Sequence, residues 1–115
     1  MDIKKYKDKI LKIILNKINK DECIIFLFGS YANNTYNRGS DIDIGILYNQ
    51  KIKDIEFLEI KEELNNEFLV DIDLIDFNEV SKNVRDEVLN REIKIWHIGK
   101  NCNELLKNLK KHIKN

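Results

Sequence analysis

Two aspartates stand one residue apart in the run Ser40-Asp41-Ile42-Asp43-Ile44. Ile42, Ile44 and Ile46 alternate with them at strand periodicity, so both carboxylates point to one face of a strand. Like charges at that spacing repel and raise each other's pKa, and a sheet accepts them only where water or a cation compensates. A second strand-like run, residues 69–77, repeats the arrangement with Asp71 and Asp73. If the two strands are neighbours, three or four carboxylates converge. Hard oxygen donors of this kind suit Mg2+, which also keeps waters and takes phosphate oxygens. Upstream, Gly29-Ser30 ends a short apolar run at 23–28. A glycine there lets a phosphate approach the backbone, and the N–H groups of a following helical turn, with the Ser30 hydroxyl, would hold its oxygens. A phosphate cradle beside a carboxylate cluster describes metal-assisted transfer of a phosphorus group from a nucleoside triphosphate. Two ions about 3.5–4 Å apart would stabilise the attacking and leaving oxygens.

These groups need a scaffold, and the apolar pattern predicts one. Ile3, Tyr6, Ile10, Ile13, Ile14 and Ile18 recur at helical spacing and predict a helix over 3–19. The wholly apolar run 23–28 predicts a buried strand, and Asn33 to Ser40 is turn chemistry. A second strand is expected at 41–48. Asp54 is placed to cap a helix over 55–67 with Phe57, Ile60, Leu64 and Phe68 as its stripe. A third strand is expected at 69–77, a short helix near 79–89 with Val80, Val84 and Val88 on one face, and a fourth strand through Ile93, Ile95 and Ile98. Residues 103–113 predict a terminal helix carrying Leu105, Leu106, Leu109 and Ile113. The order helix–strand–strand–helix–strand–helix–strand–helix implies an α/β (α+β) fold, a small mixed sheet of about four strands flanked by helices.

The length of 115 residues fits a single domain, residues 1–115, with one real core. The apolar fraction of 43% excludes general disorder. No apolar run reaches the roughly 18 residues of a membrane span, and no signal-peptide pattern follows the Lys-rich start. Cys23 and Cys102 give neither zinc spacing nor a disulfide framework, so a reduced, cytoplasmic protein is expected. Net charge is zero, yet residues 1–20 sum to +5, residues 100–115 to +4 and the middle to −9. Basic ends around an acidic middle argue against an extended nucleic-acid surface and permit a cation site in the middle.

Gly29-Ser30, ten intervening residues and Asp41-Ile42-Asp43 resemble the signature of the polymerase-β-type nucleotidyltransferase superfamily. Ala32, Ser40 and the run at 40–44 resemble its small stand-alone members, the minimal nucleotidyltransferases. Such proteins carry a third acid in a later strand, and Ile72-Asp73-Leu74-Ile75-Asp76-Phe77 is similar to it, which places that acid at Asp73 rather than Asp71. The resemblance spans about residues 22–98. It implies a nucleotidyltransferase fold, catalytic and metal-binding roles for Asp41, Asp43 and Asp73, and nucleotide contacts from Gly29, Ser30 and Ser40, with ATP as substrate and two Mg2+ ions. Many relatives have Arg-Gly where this chain has Asn33-Asn34, which leaves Arg38 as the nearby cation.

The resemblance further implies an antitoxin that adds AMP to a hydroxyl of a HEPN-domain toxin, often a Tyr. Two alternatives stand beside it: small-molecule transfer with a helical partner subunit, or a non-catalytic antitoxin that binds its partner through the basic terminal helices. Homo-oligomerisation is left open, because a sheet this small exposes an edge. The remaining candidates have plainer readings. Asp41, Asp43 and Gly45 do not fit a calcium loop, since the glycine falls one position early. Asp71 reads as a solvated or outer acid, Asp76 as a surface or capping residue, Cys23 as core, and Tyr48 and Trp96 as packing. His97 reads as a strand-edge residue and His112 as a helix-end residue. Ser30 has no matched His for a nucleophile role.

Overall fold

A computed structural model describes residues 3–112. Ile113, expected on the last helix, lies outside them. Eight regular elements follow the expected order: α1 (Lys4–Leu15), β1 (Cys23–Phe28), β2 (Ile42–Tyr48), α2 (Asp54–Glu67), β3 (Ile72–Asp76), α3 (Lys82–Leu89), β4 (Lys94–Ile98) and α4 (Asn103–His112). The strands form one mixed sheet in the order β3-β2-β1-β4. β1 runs antiparallel to both β2 and β4, whereas β2 and β3 are parallel and joined through α2. No helix among the described residues is long and apolar enough to cross a membrane.

Alternation along the strands sorts side chains into two cores. Ile25, Leu27, Ile42, Ile44, Ile46, Ile72 and Leu74 face α1 and α2, where Ile10, Ile14, Ile60 and Leu64 are fully buried against them. Ile24, Phe26, Leu47 and Phe77 face the other way, toward Leu89 of α3 and Leu109 of α4. Both faces are therefore covered, as expected for a sheet with a parallel crossover.

Several boundaries differ from the periodicity. α1 stops at Leu15, and Ile18 is buried from the turn beyond it. Asp54 is the first residue of α2 rather than its cap; Lys53 takes the cap position without a side-chain bond. β3 begins at Ile72, so Leu69 is fully exposed. Asn65 on α2 explains the late start, because its Oδ1 accepts the Ile72 N–H at 3.1 Å. α3 begins at Lys82, with Ser81 Oγ accepting the Val84 N–H at 3.2 Å. Val84 itself is 45% exposed; Val80 and Val88 pack only partly, and Leu89 is the buried residue of this helix.

Gly45 serves packing. It pairs with Phe26 across β1 and β2, and a Cβ at Gly45 would overlap the Phe26 ring. That ring meets Phe77 edge-on at 4.9 Å between centroids. Gly45→Ala is expected to lower unfolding free energy by about 1–3 kcal/mol through overpacking. Urea denaturation checks this, and an unchanged midpoint would show that the aromatic cluster has slack.

Candidate active site

Three strand ends meet at one edge of the sheet. β1 ends at Phe28, which pairs with Asp43, and Asp43 pairs in turn with Asp73 across the parallel ladder. Burial of Ile42 and Ile44 on the α1–α2 side forces Asp43 to the opposite face. Its carboxyl is pushed up to about 6, first by burial, then by the charges of Asp73 and Asp41. Asp43 is half-buried, whereas Asp73 is exposed and Asp41 lies exposed just before β2. The predicted pairing of acids from neighbouring strands is thus present. Convergence of all four is not: Asp71 is exposed ahead of β3, contributes its carbonyl to the Ile42 N–H at 2.9 Å, and is not among the charges acting on Asp43.

Gly29 packs against the half-buried acid. Its φ is +76°, a left-handed value that glycine adopts freely, and a Cβ there would overlap the Asp43 carboxylate. Residues Gly29–Tyr31 form a single 3-10 turn, closed by Ala32 N–H donating to the Gly29 carbonyl at 3.0 Å. Tyr31 and Ala32 are buried and anchor the turn; Tyr31 stacks on Tyr36 at 4.4 Å. The loop that follows is shaped by its own polar groups. Asn33 Oδ1 accepts the Thr35 N–H at 3.2 Å, and Asn34 takes a left-handed φ of 62°. Ser40 Oγ accepts the Asn37 N–H at 2.9 Å, closing the turn that delivers Asp41.

A cleft of roughly 340 Å³ opens beside this turn, between Phe28, Gly29, Ser30, Asn33 and Thr35 on one wall and Glu87, Val88 and Arg91 on the other. Sequence reasoning missed the second wall. Arg91 follows Asp41 by 50 positions with no spacing motif, and only tertiary packing of α3 brings it back. Arg38, expected to be the nearby cation, instead lines a separate hollow with Tyr31, Tyr36 and Asn37.

The plainer candidates sit as expected. Asp76 Oδ2 accepts the Tyr48 hydroxyl at 2.8 Å, and its Oδ1 caps the Asn78 N–H at 3.0 Å. Trp96 packs on the α1–α2 core. His97 Nε2 lies 2.7 Å from the Lys20 carbonyl. Cys23 is buried, and burial followed by nearby Cys102 pushes its thiol up to about 12, so it is inert core.

Among the described residues no group of three His, Cys, Asp or Glu side chains is drawn close enough to hold a metal ion by itself. No ion pair among the described residues reaches Asp41, Asp43 or Asp73. The site is an open set of carboxylates with uncompensated negative charge, the donor chemistry that suits a hard cation shared with phosphate oxygens.

The sequence profile of the polymerase beta, nucleotidyltransferase family matches residues 7–101. The chain belongs to this family. Among curated family relatives it is similar to the protein adenylyltransferase MntA of Shewanella oneidensis, 32% identical over 90 residues. That alignment covers 78% of this chain and 64% of the relative, so the chain spans just under two thirds of the relative's length. MJ0435 of Methanocaldococcus jannaschii is 30% identical over 95 residues, covering 83% of this chain and 99% of that one. Solved structures agree on the nucleotidyltransferase fold. A toxin–antitoxin crystallised with AMP-PNP matches at a TM-score of 0.72 and 29% identity, covering 92% of this chain and 86% of that one. A tri-AMPylated Shewanella oneidensis HEPN toxin in complex with an MNT antitoxin gives 0.70 and 26%, covering 96% and 87%.

Proposed function

We propose that this protein is an adenylyltransferase that moves AMP from ATP to a hydroxyl side chain of a HEPN-domain toxin and so silences it. The observation that carries the reading is the register of β2 against β3, which sets Asp43 beside Asp73 with Gly29 packed on the same carboxylate. Family membership supports the reaction class, and the relatives named as protein adenylyltransferase and as HEPN–MNT complex support the acceptor.

In this reading Asp41, Asp43 and Asp73 are the catalytic acids and would hold two Mg2+ ions. Those ions would supply positive charge against the triphosphate and the departing pyrophosphate. Gly29, with no side chain, leaves the Asp43 carboxylate its place against the phosphate turn. The Ser30 hydroxyl and the opening N–H groups of the 3-10 turn orient the terminal phosphates. Ser40 fixes the turn that aims Asp41 and so supports the nucleotide site. Asp73, exposed at the strand end, takes the proton of the acceptor hydroxyl. The hydroxyl oxygen bonds to the α-phosphorus, the bond from that phosphorus to the bridging oxygen breaks, and pyrophosphate leaves with its electron pair. ATP as donor makes the cytoplasm the site of action.

The test is label transfer. The protein is incubated with Mg2+, α-phosphate-labelled ATP and lysate of its own source, beside a HEPN-domain protein. Label on the partner is the expected result. Label in a small molecule alone would move the acceptor to small-molecule chemistry. Bound ATP with no label anywhere, and protection retained, would replace catalysis with sequestration.

A further inference from the structure

α3 ends facing the phosphate turn. Val88 and the residues around it line the same cleft as Gly29, Ser30 and Thr35. A helix C-terminus carries partial negative charge, and Glu87 adds a full one, so this wall alone would repel a phosphate. The turn opposite brings no cation, since Asn33-Asn34 shape the loop instead. Arg91, one residue past the Asn90 cap, is the sole cationic side chain among the described residues lining the cleft. Its Nη2 stands 3.5 Å from Glu87 Oε1, and both side chains are about 70% exposed. Exposed pairs of that length and spacing contribute little, so this one exchanges partners at small cost. A guanidinium also presents two parallel donors that match phosphate oxygens, and a triphosphate outbids a single carboxylate in charge.

We propose that Arg91 grips the terminal phosphates of the nucleoside triphosphate, leaving Glu87 to do so, and that Glu87 is the counter-ion that parks the guanidinium at the mouth of the cleft before the nucleotide binds. This rests on the nucleotidyltransferase reading above and deepens it: the cation missing from the phosphate turn is supplied by the far end of α3. Arg91 thereby separates triphosphate from monophosphate, because only the former reaches it.

The test compares wild type, Arg91→Gln, Arg91→Lys and Glu87→Gln. Equilibrium binding of a non-hydrolysable ATP analogue and of AMP is measured with Mg2+, alongside transfer rates against ATP concentration. Arg91→Gln is expected to weaken analogue binding about tenfold and to raise KM similarly, with kcat little changed and AMP binding unaltered. Arg91→Lys should recover part of the loss, and Glu87→Gln should bind the analogue about two- to threefold more tightly. Melting temperatures should stay equal, since both side chains are exposed. Wild-type analogue affinity in Arg91→Gln would overturn the proposal, as would equal loss for AMP and analogue. Absence of analogue binding by the wild type would instead bring down the underlying function, so the two failures are distinct.

Discussion

Asp43→Asn is expected to reduce AMP transfer by about 10³-fold or more while leaving the protein folded. The asparagine keeps the size of the side chain and its place between Gly29 and Asp73, but loses the negative charge that would hold a cation against the triphosphate. Under the proposed function, protection against the partner toxin should fall with it. The same variant is expected to be more stable than wild type in the absence of metal above about pH 6. The sign follows from burial and from Asp73 and Asp41, which hold the Asp43 carboxyl up at about 6. Between the ordinary carboxylate range and that value the folded chain binds more protons than the unfolded one. Stability therefore falls as pH rises through this window, and the full penalty stands above it. With the discount for a half-exposed group, the penalty is about 1–2 kcal/mol. Urea midpoints in chelator at pH 4.5 and 7.5 measure it for both proteins. Identical pH responses would mean that Asp43 is not the strained group, and wild-type transfer by Asp43→Asn would remove the acid from the mechanism.

Gly29→Ala is expected to cost about 10²-fold in kcat/KM but only about 1 kcal/mol in stability. The left-handed backbone at Gly29 accounts for the modest stability loss. The overlap of the new methyl is with the Asp43 carboxylate, the free end of a side chain, so the clash is relieved by rotation of that carboxylate. Folding survives and the acid leaves its working position. Gly45→Ala offers the contrast: its methyl meets a wedged Phe26 ring, so stability suffers and the acids stay in place. Transfer kinetics and denaturation on both variants separate the cases. A fully active Gly29→Ala would show that the carboxylate has no need of its present orientation.

The sheet and the acid pair were readable because strand alternation is a strong, local signal. Ile42, Ile44 and Ile46 define a buried face, and that alone assigns Asp41 and Asp43 to the other. Element boundaries set by single side-chain hydrogen bonds were not. The start of β3 is fixed by Asn65 on α2, and the start of α3 by Ser81; periodicity carries no trace of either. Likewise Arg91 and Glu87 reach the cleft only through the packing of α3 on the sheet, so no spacing rule could have found them. Gly45 had no role legible in its own segment because its reason, the Phe26 ring, comes from another strand.

The end of the sheet opposite the acids is where the polar ties gather. Tyr48 and Asn78 exchange two hydrogen bonds, Tyr48 also reaches Asp76, Asn49 Nδ2 donates to the Asn101 carbonyl at 2.8 Å, and the Asn101 side chain meets Glu22. The integrity of the fold is secured at one pole and its chemistry is exposed at the other. Sequence drift at the chemical pole is consequently cheap: losing an acid relieves repulsion and leaves the far pole untouched. Under the proposed function, one substitution at an acid would remove catalysis and leave a well-folded protein with its outer surface intact.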